Sequence, residues 1–302
     1  MRVQRPKRVR VVLALAALLA AAADRPAVVP AAAAEPRLPG RVVDLVAGDF
    51  FFRGPDTIPP GLTTFRLRAL HGGHAAWVVR IPPGHTAAEL LDAAAAHGPP
   101  QWATNLGGPG FPPKGGSANA TMVLEPGEYA VVCYVRVEAP PGAGAGAATT
   151  APMPATHVQR GMIRRLVVQA TPGRPRTPGA LPAPSATVRM LDHQFRVSAP
   201  LRAGRQVLRV VNAGRAPHEF KLYRVLPGRT GAESLAWTPE SGTPPPDEEV
   251  AALATLPPCG ALTTTVELAA GEYTLFCVPQ LARGMKQVVR VLPVAPRRPA
   301  PA

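Results

Sequence analysis

Apolar positions in this chain come in short runs bounded by turn residues. Val42–Phe52 and Thr63–Leu70 are rich in Val, Phe, Leu and Thr, with Gly54-Pro55-Asp56 and Pro59-Pro60-Gly61 between them. Runs of that length and composition predict strands. Trp77–Ile81 predicts a further strand, Thr121–Leu124 and Tyr129–Tyr134 a hairpin, and Ile163–Gln169 a closing strand. One helix interrupts the series. Thr86 and Glu89 form a T-x-x-E capping box, in which each side chain satisfies the other residue's free backbone N–H, and Gly98-Pro99 closes the segment. Gly107–Gly116 reads as a loop.

The stretch Leu-x-Pro-Gly-x-Tyr from Leu124 to Tyr129 matches the corner of a Greek-key sandwich, where a tyrosine hydroxyl pins the turn. The pattern then repeats. His218, Tyr273 and Cys277 each stand 144 positions after His74, Tyr129 and Cys133, and Phe195-Arg196 echoes Phe52-Arg53. A single long offset implies duplication of a whole domain, since solenoid periods run about 20–50 residues. The predicted fold is all-β, with two tandem Greek-key β-sandwiches at 41–170 and 185–294 and a short helix in an inserted loop of the first. A Pro/Gly/Arg linker covers 171–184 and a Pro/Arg-rich tail 295–302. In the second domain Thr263–Leu268 and Tyr273–Cys277 read as a hairpin. That register sets Cys259 too far from Cys277 for a disulfide, which needs Cα atoms within about 7 Å.

Composition supports short strands and many turns: of 302 residues 39 are Pro and 28 Gly, and aromatics make up only 5%. The formal charge of +14 is mostly arginine, since Lys7, Lys114, Lys221 and Lys286 are the only lysines. No basic stripe with interleaved aromatics and no nucleic-acid motif accompanies it, so a nucleic-acid partner is not expected. At the N-terminus Arg2, Arg5, Lys7, Arg8 and Arg10 precede an apolar run, Val11–Ala23, that is too short for a bilayer span of about 20 residues. Residues 1–23 read as a signal peptide, with an uncleaved anchor as the alternative. Residues 24–40 are Ala/Pro-rich and expected to be disordered. The mature protein is expected to be exported, periplasmic or extracellular, with no stable membrane anchor.

Three cysteines, Cys133, Cys259 and Cys277, leave at least one thiol unpaired within the chain. That suits a metal thiolate. After Cys133 comes a long Ala/Gly/Pro/Thr run, then His157 and Met162. With His74 upstream, the donors are two imidazoles, a thiolate and a thioether, the set that holds type 1 copper. His71 competes for the upstream role, and His74 is preferred because it shares the 144-residue offset with His218.

These residues resemble the cupredoxin family, and specifically its plastocyanin-like blue copper domains. Such domains carry one His on an early strand and Cys, His and Met on the last loop. The resemblance implies two tandem cupredoxin-like domains and one copper, held in the first by His74, Cys133, His157 and Met162. Two departures stand out. The loop from Tyr134 to Thr156 is long for the family, which threatens the rigidity of the site. In the second domain, Cys277-Val278-Pro279-Gln280 resembles the family's C-x-P-H, with Gln280 in place of His. His218, Cys277 and Met285 there read as a vestigial set. The implied function is a one-electron carrier serving a redox partner protein, and not an enzyme: no H-x-H pair supplies further copper ligands. The alternative is a metal-free tandem cupredoxin-like binding or structural module. Copper is expected to raise one melting transition and leave that of the second domain unmoved.

Overall fold

The computed structural model describes residues 36–71, 73–93, 98–113, 115–137, 155–170 and 179–294. The signal segment, most of the long loop, the first part of the linker, the tail and His97 lie outside the described residues. The first repeat runs β1 (Arg41–Gly48), β2 (Phe51–Arg53), β3 (Thr57–Ile58), β4 (Gly61–Ala69), β5 (Trp77–Ile81), then helix α1 (Ala87–Asp92), β6 (Thr104–Asn105), β7 (Ala118–Leu124), β8 (Gly127–Val132) and β9 (Ile163–Val168). The second repeat runs β10 (Ala186–Leu191), β11 (Gln194–Val197), β12 (Leu201–Arg202), β13 (Gly204–Asn212), β14 (His218–Val225), helix α2 (Gly231–Ala236), β15 (Asp247–Leu256), β16 (Ala261–Leu268), β17 (Gly271–Phe276) and β18 (Lys286–Leu292).

Each repeat is a two-layer sandwich. One layer of the first has the order β3-β9-β8-β5-β6, and one layer of the second β12-β18-β17-β14-β15. The other layers join. β7 meets β16 antiparallel, Thr121 opposite Thr263, and a single eight-stranded sheet β11-β10-β13-β16-β7-β4-β1-β2 spans both repeats. The core lies between the layers, and Cys133, Met162, Cys277 and Met285 are buried in it.

Two expected hairpins are corrected. β7 and β8 lie in opposite layers, as do β16 and β17. The reason is the tyrosine corner. Tyr129 Oη donates to Glu125 O at 2.9 Å and Tyr273 Oη to Ala269 O at 3.0 Å, so the chain crosses between sheets there and does not double back. The expected strand Val42–Phe52 is also two strands, broken at Asp49-Phe50, where Phe50 adopts φ 62°. Residues 36–40, expected to be disordered, are tied down: Thr64 Oγ1 donates to Pro39 O at 2.6 Å and Arg205 Nε to Arg37 O at 2.9 Å.

The capping box forms as read, with Glu89 N–H donating to Thr86 Oγ1 at 3.1 Å and Thr86 N–H to Glu89 Oε2 at 2.9 Å. α2 repeats the device with Thr230 and Glu233.

The Gly107–Gly110 part of the predicted loop acts as a seam. Val78 N–H donates to Gly107 O at 2.7 Å and Ala76 N–H to Pro109 O at 3.0 Å, while Gly110 N–H donates to Ala252 O at 3.0 Å and Gly108 O accepts from Ala254 N–H at 2.9 Å. The strip is thus bonded to the first repeat on one edge and to β15 on the other. Glycine is required: a Cβ on Gly108 would lie 1.9 Å from Ala76 O.

Candidate metal centre

Three backbone segments converge at one end of the first sandwich. His74 comes from the extended stretch before β5, Cys133 directly follows β8, and His157 opens a single 3-10 turn, Val158–Arg160. Gly161 caps that turn at φ 90°, a left-handed conformation glycine adopts without Cβ strain, and Met162 follows it. Backbone bonds hold the segments together. Cys133 N–H donates to Met162 O at 3.1 Å, Val158 N–H to Cys133 O at 2.9 Å, His157 N–H to Val135 O at 2.7 Å, and Met162 N–H to His157 O at 2.9 Å.

The side chains meet. Donor atoms of His74, Cys133 and His157 all lie within 4.8 Å of one another. His74 Nδ1 is 3.2 Å from His157 Nδ1, and Cys133 Sγ is 3.5 Å from that same nitrogen. His74 and Cys133 are buried, while His157 is half-buried at the rim. Met162 is wholly buried. His71 is exposed and outside the cluster, so the geometry selects His74. Of the other histidines, His85 stacks on Trp102 with centroids 4.1 Å apart, and His193 is exposed.

The electrostatics favour neutral imidazole and a protonated thiol when no cation is present. Burial first, and the neighbouring His157 second, lower the pKa of His74, with Asp49 opposing. Burial pushes the Cys133 thiol up to about 11, against the pull of the Ala75 and Val135 backbone N–H groups. A cation bound here would displace the thiol proton and use both imidazole lone pairs. Two imidazoles and a thiolate, backed by a buried thioether residue, fit the preferences of copper.

The described ends of the long loop pair with each other. Val137 N–H donates to Ala155 O at 2.8 Å, and Arg136 pairs with Thr156. The two stems, 133–137 and 155–162, are therefore paired up to the donors.

Some contributors escaped the sequence reading. Phe50 sets its ring edge-on to His157, with centroids 5.3 Å apart. Asp49 faces His74 electrostatically. A signal existed: Asp192-His193 follows Asp49-Phe50 by 143 positions, one short of the main offset, and both Phe50 and His193 have positive φ.

The second sandwich repeats the scaffold with other side chains. Cys277 N–H donates to Met285 O at 3.1 Å and Met285 N–H to Gln280 O at 3.2 Å, which puts Gln280 in the backbone position of His157. Its amide oxygen accepts from Arg283 Nη1 at 3.3 Å. His218 Nδ1 lies 3.5 Å from Cys277 Sγ, and its Nε2 lies 3.3 Å from Asp192 Oδ1. Glu219 N–H donates to Cys277 Sγ at 3.4 Å. Cys259 and Cys277 are free thiols, the first exposed and the second buried.

No family model matches the chain, and no curated protein does. Among solved structures, it is similar to the dithionite-reduced auracyanin of the photosynthetic bacterium Roseiflexus castenholzii, with 22% identity over 37% of this chain and 100% of that one and a TM-score of 0.26. It is similar to auracyanin A, a "blue" copper protein of Chloroflexus aurantiacus, with 19% identity over 35% and 97% and a TM-score of 0.25. A copper-containing nitrite reductase of Thermus scotoductus matches 85% of this chain and 63% of its own at 13% identity, with a TM-score of 0.25. At such values the function must come from this chain's own residues.

Proposed function

We propose that the chain is an exported copper-binding protein and a one-electron carrier, with the metal held in the first sandwich by His74, Cys133, His157 and Met162. The observation that supports this reading is the convergence of His74, Cys133 and His157 donor atoms within 4.8 Å, from positions far apart in the chain. Copper bound there would supply a Cu(II)/Cu(I) couple. The chain's part is to hold the donors still. The bonds between 133–135 and 155–162 brace the loop, and rigid donors keep reorganisation small when an electron moves. His157 stands at the rim under the exposed ring of Phe50, the face a redox partner protein would meet.

The reading is of a carrier and not an enzyme. Among the described residues, the His74–Cys133–His157 group is the one His/Cys/Asp/Glu cluster with metal-binding geometry. Export rests on the N-terminal basic and apolar pattern. Among the described residues no helix is long and apolar enough to cross a membrane. The test is Cu(II) titration of the metal-free protein with visible spectroscopy. An intense thiolate-to-copper band saturating at one equivalent is expected. A protein that stays colourless with Cu(II) would leave the metal-free binding module as the reading.

A further inference from the structure

The second sandwich keeps a thiol, an imidazole and a buried thioether residue on the same scaffold, yet lacks the second imidazole. We propose that this set, His218, Cys277 and Met285, is a closed site for monovalent Cu(I), separate from the site in the first sandwich.

His218 is wholly buried and held at both ends, its Nδ1 3.5 Å from Cys277 Sγ and its Nε2 3.3 Å from Asp192 Oδ1. Asp192 is itself fixed, accepting the Arg215 N–H at 2.9 Å. A carboxylate at Nε2 keeps the proton on that nitrogen, so the lone pair of Nδ1 points at the sulfur. A carboxylate behind a histidine is the usual way a protein sets the tautomer and ring orientation of a metal ligand. The Cys277 sulfur accepts the Glu219 N–H at 3.4 Å, which fixes its position beside His218. Met285 is wholly buried in the place Met162 holds in the first repeat.

Ligand number and softness select the ion. With one imidazole the site lacks the second nitrogen donor that Cu(II) uses in the first sandwich, whereas Cu(I) accepts two or three ligands. Zinc takes four donors, and the amide oxygen of Gln280, the residue at the backbone position of His157, accepts from Arg283. Two sulfurs and one imidazole suit Cu(I), which soft thiolate and thioether ligands select. As the Cu–S bond forms, the Cys277 S–H bond breaks and its proton leaves to solvent. The copper stays Cu(I) throughout.

The experiment uses the full chain carrying Cys259→Gly, which removes the exposed thiol, and Cys133→Ser with His157→Ala, which together remove the thiolate and one imidazole of the first sandwich. Cu(I) is offered anaerobically against a chromogenic Cu(I) chelator. One Cu(I) per chain is expected, with no visible band. Adding Cys277→Ser should abolish uptake. Adding Asp192→Asn should weaken it by roughly 10–100-fold, as loss of a partner behind a ligand does. X-ray absorption should show sulfur and nitrogen neighbours. No uptake by this starting chain with unchanged circular dichroism, or uptake that survives Cys277→Ser, would overturn the proposal. Because the first site is disabled throughout, failure here leaves the reading of the first site standing.

Discussion

His74 and His157, 83 positions apart in the chain, face each other Nδ1 to Nδ1 at 3.2 Å. Two neutral imidazoles in that pose share at most one proton, and a cation between them satisfies both lone pairs. Cys133 closes the group at 3.5 Å from the His157 nitrogen. We therefore expect Cys133→Ser and His157→Ala to remove the visible band and most of the Cu(II) affinity, while Cys277→Ser leaves both intact. Titrations followed at the charge-transfer band decide it. A band that persists in His157→Ala would take that residue out of the site.

The backbone bonds around Gln280 match those around His157, so the second loop is shaped for an imidazole it does not carry. Gln280→His is expected to add a second Cu(II) equivalent with its own visible band, free of Cys133→Ser. One equivalent in both wild type and variant would show that the shared backbone pattern does not carry the donor to the metal.

Asn119 ties the repeats together. Its Nδ2 donates to Thr265 O at 2.8 Å, and its Oδ1 accepts Thr265 N–H at 2.9 Å. Asn119→Ala leaves both buried backbone groups without that partner, at about 1–3 kcal/mol each. A loss of about 3 kcal/mol in urea unfolding is expected, and a loss under about 0.5 kcal/mol would contradict it. The shared sheet also changes the melting expectation. Copper at about 1,000 times its Kd stabilises the folded state by about 4 kcal/mol. Calorimetry should show this as a shift of one common transition, not of one in two.

Thiol reagents should distinguish the cysteines. Cys259 is exposed, whereas burial raises the pKa of both Cys133 and Cys277. One fast equivalent per metal-free chain at pH 8 is expected, lost in Cys259→Gly. Cys259 sits at φ 64°, where a side chain costs about 1–2 kcal/mol. Glycine's own entropy cost of about 0.5–1 kcal/mol offsets much of that, so the variant should fold with similar stability.

Glu219 gives a pH signature. Burial raises its carboxyl from 4.5 to about 7, with Lys221 and the Val278 N–H opposing. A carboxyl with a raised folded pKa contributes stability that is full below its unfolded pKa and lost as pH rises through the folded one. Wild type should therefore lose a few kcal/mol between pH 4.5 and 7 relative to Glu219→Gln, which stays neutral. Parallel stability curves for the two proteins across that window would refute it.

The sequence by itself determined the all-β composition, the two tyrosine corners and the capping box. Those features are local, or recur at one offset. Thr86 and Glu89 bond across one turn, and Tyr129 and Tyr273 bond four residues back. Only the tertiary structure decided which strands share a sheet. The two hairpins failed because the chain crosses between layers at each tyrosine corner, so β7 and β8 take their backbone bonds from distant strands, and which strands those are is not written in side-chain identity. The β7–β16 seam and the Gly107–Gly110 strip are edge pairings between distant segments for the same reason. The site divides likewise. The order His, Cys, His, Met was legible, but Phe50, Asp49 and Asp192 were not, because each reaches a histidine across a turn whose numbering slips by one residue between repeats. Choosing His74 over His71 on physical grounds also needed the fold. Three positions apart in sequence, one is buried against Cys133 and His157 and the other faces water.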